Sequence, residues 1–134
     1  MSSTNYPNIS TEKKSKDLSY LDLLETVAKD DVAGLVIAHQ SYGDSCLRRG
    51  GTGLFMMFAR KWDRLENQAK KFGWDIFKTY ENDQREEGVL DDIRDLRRYL
   101  LICEAQLLLK KQIEEYQGKL PLEGEPTSSY VNQG

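Results

Sequence analysis

The sequence predicts an all-α protein, a compact bundle of about four helices with flexible tails at both ends. Three observations predict it. Apolar residues recur at steps of three and four through most of positions 17–117, no segment alternates apolar and polar residues as a strand would, and only three prolines interrupt 134 residues. A composition of 39% hydrophobic and 31% charged residues suits small helices with large solvated faces. The length fits one domain, here 17–117, between an N-terminal tail 1–16 and a C-terminal tail 118–134 rich in small and polar residues.

The first helical pattern starts near Asp17 or Ser19 and carries Leu18, Leu21, Leu24 and Val27 at three-residue steps. Asp30 and Asp31 offer caps for a second segment through Val32, Leu35, Val36 and His39, so the stretch reads as one kinked helix or as two. In "CLRRGGTGLF" the glycines Gly50, Gly51 and Gly53 break the helical pattern before it resumes on a stripe of Leu54, Phe58, Lys61, Leu65, Ala69 and Phe72, with Gly73 as its stop. "WDIFKTYENDQREEG" holds enough apolar residues to pack a short helical turn against the core. The last helix, about 86–117, places Val89, Ile93, Leu96, Leu100, Cys103 and Leu107 at four-three spacing.

Several function classes are excluded by what is missing. A net charge of −3 gives no global attraction to nucleic acid. No apolar run approaches a membrane span or a signal-peptide core, so the expected location is the cytoplasm. Cys46 and Cys103 stand far apart and His39 is the sole histidine, which leaves no zinc knuckle or multi-histidine site. Met56, Met57 and the aromatics around them read first as core residues.

Two pairs of carboxylates carry the sharper hypothesis. Asp63 and Glu66 stand three apart in "KWDRLENQ", and Asp92 and Asp95 repeat the spacing in "DDIRDLRR". Residues i and i+3 share a helix face, so two such helices side by side could gather four oxygen donors for Mg²⁺. Asp92 and Asp95 flank the apolar stripe of the last helix, whereas Asp91 falls nearly opposite it. Against this stands the plain alternative of solvated surface, with acids favoured in early helical turns and with the pairs Glu66/Lys70 and Asp95/Arg98. Arg48 and Arg49 followed by Gly50 and Gly51 supply a basic, flexible loop before a helix, the ingredients of a phosphate cradle. Together with the carboxylates they point to a nucleotide.

Over about residues 35–110, Tyr42-Gly43-Asp44-Ser45, the run from Arg60-Lys61 through Asp63-Arg64-Leu65-Glu66, and the Asp92/Asp95 pair resemble small phage and prophage proteins of the nucleotide-modification-associated domain group. The pair spacing is also similar to the MazG-like all-α nucleoside triphosphate pyrophosphohydrolases, whose Glu-x-x-Glu and Glu-x-x-Asp motifs fall on Asp63/Glu66 and Asp92/Asp95, with Asp63 and Asp92 where that family has Glu. That resemblance implies Mg²⁺ as cofactor, held by Asp63, Glu66, Asp92 and Asp95, with Glu66 and Asp95 the catalytic members. Arg48, Arg49, Gly50, Gly51, Lys61 and Arg64 would hold the phosphates of a nucleoside triphosphate, in a homo-oligomer with sites between subunits. The alternatives are a non-catalytic module that sequesters a nucleotide and a helical protein-interaction module.

Overall fold

The computed structural model describes residues 17–119; both expected tails lie outside them, save the boundary residues Gly118 and Lys119. Among the described residues the fold is all-α. Four α-helices follow in order, α1 (Leu21–Tyr42), α2 (Gly50–Ala69), α3 (Ile76–Asn82) and α4 (Val89–Gly118), with single turns of 3-10 helix at Ser45–Leu47 and Lys70–Phe72. The chain divides into two units, one ending at Leu100 and one beginning at Leu101, within α4.

α1 is one helix across the Asp30-Asp31 step. Neither aspartate caps anything, because Asp31 is drawn into a buried ion pair. The residue is 2% exposed, and its carboxylate receives Arg97 and Arg98 from α4. The helix ends at Gly43, whose φ of 60° admits the reversal and whose N–H donates to the His39 carbonyl at 2.7 Å.

The glycines of "RRGGTG" do not lie outside a helix as expected. Gly50, Gly51 and Gly53 form the first turn of α2, with only Gly50 (φ 71°) in left-handed backbone. The turn closes without a side-chain cap, and Gly53 N–H donates to the Arg49 carbonyl at 3.4 Å. Leu54 and Leu65, from the expected stripe, are buried. The stop at Gly73 holds, in left-handed conformation at φ 67°.

The short turn expected after Gly73 is α3. Asp75 caps it, accepting from Phe77 N–H at 2.9 Å and Lys78 N–H at 3.2 Å, while the fully buried Thr79 hydroxyl donates to the Asp75 carbonyl at 2.7 Å. α4 opens with Val89, which is buried as expected. Asp91 and the far end of the apolar stripe depart from the sequence expectation. Asp91 is 4% exposed, because its carboxylate accepts from Gly88 N–H at 3.1 Å and meets Arg94 at 3.0 Å. Leu100 and Leu107, expected on the buried stripe, are 47% and 61% exposed, and Cys103 is half-buried.

The interior is unusual in its chemistry. Buried apolar residues among those described are Leu54, Leu65 and Val89, against the buried polar residues Asp31, Thr79, Asp91 and Asp92. Buried charge is stable only when paired, and here arginines from α2, α4 and the α3–α4 connection do the pairing.

Candidate functional site

The two acid pairs meet different fates. Asp63 and Glu66 on α2 are exposed. Asp92 on α4 is 1% exposed, and its Oδ1 accepts from Arg64 Nε at 2.6 Å. Its Oδ2 faces Arg85 Nη2 at 3.0 Å, a charge contact without hydrogen-bond alignment. Asp95 is half-buried, paired with Lys61 at 3.0 Å and lying 3.6 Å from Arg94.

Lys61 and Arg64, expected on phosphate, are therefore the partners of Asp95 and Asp92, expected on metal. Opposite halves of the anticipated site neutralise each other across the α2–α4 contact. Arg64 also donates to the Glu87 carbonyl at 3.1 Å, which fixes its fork toward the start of α4. Among the described residues no group of three or more His, Cys, Asp or Glu side chains is placed to hold a metal ion. The donor set does not fit Mg²⁺, which needs several oxygens converging in near-octahedral geometry.

The basic loop stands apart from these pairs. Arg48 and Arg49 are exposed just before α2, whose first turn carries no acid. A Cβ added at Gly50 or Gly51 would meet open space, whereas one at Gly53 would fall 2.7 Å from the Arg49 Cβ, so the Arg49 stem lies against the turn.

Two charged clusters escaped the sequence reading. In the first, Asp31 accepts from Arg97 through both oxygens and from Arg98 Nε at 2.9 Å, and Arg98 also holds Asp30 at 2.9 Å and the Asp30 carbonyl at 3.1 Å. Gly34 makes room for it, since a Cβ there would fall 2.6 Å from the Arg98 guanidinium. Burial pushes the Asp31 carboxyl upward, but the hydrogen bonds and charges of Arg97 and Arg98 outweigh it, so the group sits below its ordinary range. The available signal was an acidic pair inside an otherwise apolar run, "VAKDDVAGLV".

In the second cluster Arg85 grips Asp83 through Nε at 3.0 Å and Nη2 at 2.8 Å while reaching Asp92. The Arg85 hydrogen bonds hold the Asp83 carboxyl below its usual range against the opposing effect of burial, and the Arg85 guanidinium is raised in turn. Beside it lies a cleft of about 180 Å³ whose lining includes Tyr80, Asp83, Arg85 and Glu86. Small-molecule sites run from roughly 300 Å³ upward, so this cleft is too small for a nucleotide.

No protein-family model, curated protein or solved structure matches this chain. Among the described residues no helix is long and apolar enough to cross a membrane.

Proposed function

We propose that this chain is a helical protein-interaction module. One observation carries the reading: three buried apolar side chains stand against twenty-four large apolar side chains exposed among the described residues. Exposed apolar surface forgoes about 25 cal/mol per Å², so a chain that pairs charges inside and turns leucines outward gains further apolar burial by association. The exposed set includes Leu21, Val32 and Val36 on α1 and Phe55 and Trp62 on α2. The paired state of Asp92 and Asp95 supports this reading over catalysis, because carboxylates held by Arg64, Arg85 and Lys61 serve to lock helices together.

The test is the response of an apolar-surface dye, ANS, to the dilute, folded chain. Bound dye that is displaced as the protein is concentrated or given a partner supports the module. A folded chain that binds no dye and keeps one mass at every concentration removes it.

A narrower second reading rests on a separate observation: α2 opens without a side-chain cap or a first-turn acid beside the exposed Arg48 and Arg49. Helix N–H groups and two guanidinium groups suit the phosphates of a nucleotide bound without turnover. Kinship with the phage nucleotide-modification group would favour it, and either reading suits a cytoplasmic protein. This reading needs no Mg²⁺, since Asp63, Glu66, Asp92 and Asp95 do not converge as a donor set. Nucleoside triphosphates, with and without Mg²⁺, should raise the melting temperature of the native chain and not of Arg48→Ala/Arg49→Ala; equal shifts for both refute phosphate recognition.

A further inference from the structure

We propose that the part of α4 beyond Leu100 is a dimerisation arm that pairs antiparallel with the same arm of a second copy, centred on Leu109. The proposal rests on the interaction reading above and specifies its surface and its occupant.

No residue from Leu101 to Lys119 is buried. Leu101, Leu107, Leu108, Leu109, Ile113 and Tyr116 are between 40% and 66% exposed. From Leu107 to Lys119 every residue is exposed, and most helical stability comes from packing of an apolar face, so this surface calls for an occupant.

Charge placement shows which side is covered. At about 100° per residue, an arc of roughly 160°, running from Leu108 through Tyr116 and Leu109 to Ile113 and Gln106, carries no charged residue at all. Glu104, Lys110, Lys111, Glu114 and Glu115, the five charged residues between Leu101 and Gly118, all fall on the remaining side. An uncharged arc meets itself without like-charge repulsion, and no oppositely charged partner is needed to complement it.

The area is adequate. The large side chains on the arc, Leu101, Leu108, Leu109, Ile113 and Tyr116, with about half of each exposed, offer roughly 500 Å², so two copies bury about 1,000 Å², the threshold of a specific interface.

Antiparallel pairing about Leu109 sets Ile102 level with Tyr116 of the second copy and the small Ala105 level with Ile113, which fills the space beside the alanine. A parallel, in-register pair would instead stack alanine on alanine. Opposed helix dipoles add to the preference.

The test uses the full chain. Light scattering from low to high micromolar concentration should give a mass rising to twice 15.4 kDa. Leu109→Asp and Ile113→Asp should each weaken association by about tenfold or more. Trp62 and Trp74, both in the other unit, report whether its fold is retained, and Glu104→Gln, on the charged side, should still dimerise. In a Cys46→Ser/Cys103→Ser background, mixing Ile102→Cys with Tyr116→Cys chains should give the mixed disulfide.

A wild-type chain that stays monomeric overturns the proposal; if that monomer still binds ANS, the interaction reading survives alone, and if it does not, both fall. A dimer indifferent to both aspartates overturns the surface. Faster self-linking of Ile102→Cys than mixed linking overturns the antiparallel order.

Discussion

Replacing Asp31 by asparagine removes one charge from the centre of the α1–α4 contact and leaves Arg97 and Arg98 facing a neutral amide. The Asp31 side chain is 3% exposed, and its guanidinium partners are 34% and 20% exposed. Breaking a fully buried pair from one side costs about 3–5 kcal/mol, and partial solvation of both arginines lowers this to about 2–3 kcal/mol. For a unit of this size the loss corresponds to a melting temperature lower by roughly 10–20 °C. Urea unfolding followed by circular dichroism at neutral pH measures it. The same carboxylate gives the pH dependence. Its folded pKa lies below the unfolded value of 3.8, so the stabilisation is present above that value and is lost as pH falls through the folded one. Asp83, also lowered, acts in the same direction. Wild type should therefore lose stability on acidification more steeply than Asp31→Asn, and the two curves should converge at the acid end. A loss under about 0.5 kcal/mol at neutral pH, the range of an ordinary surface substitution, would refute the role given to Asp31.

Other outcomes follow from the same contacts. Gly34→Ala should destabilise by about 1 kcal/mol although alanine favours helix, because the added Cβ displaces an Arg98 side chain already held by Asp30 and Asp31; a stabilised variant in thermal melts would show that Arg98 is free to move. Arg64→Ala leaves Asp92 to Arg85 alone and should cost about 2–3 kcal/mol in urea unfolding, whereas Lys61→Ala, facing a one-third exposed Asp95, should cost under about 1 kcal/mol; equal losses would contradict the burial difference. Asp75→Ala removes both cap bonds of the seven-residue α3 and should cost about 0.5–2 kcal/mol, read with faster amide exchange at Phe77 and Lys78. Unchanged exchange there would mean that α3 holds without its cap.

The helical class was legible because the three-four periodicity reports only which residues share a helix face, and that is a local property. The stop at Gly73, the short α3 and the start of α4 are likewise written in neighbouring residues. The spacing of Asp63 with Glu66 and of Asp92 with Asp95 was visible too, but spacing along one helix does not say what faces it across the gap. Tertiary structure decided that Arg64 and Lys61 fill that gap, that Asp31 is an interior ion rather than a cap, and that Asp91 points inward. It also decided that Leu107 and its neighbours on α4 stay exposed within the chain. Sequence by itself determines where helices form and how their faces are coloured, because those depend on residues within a few positions of each other. Which faces meet depends on partners up to 68 positions away, as between Asp30 and Arg98, and only the folded chain brings those together.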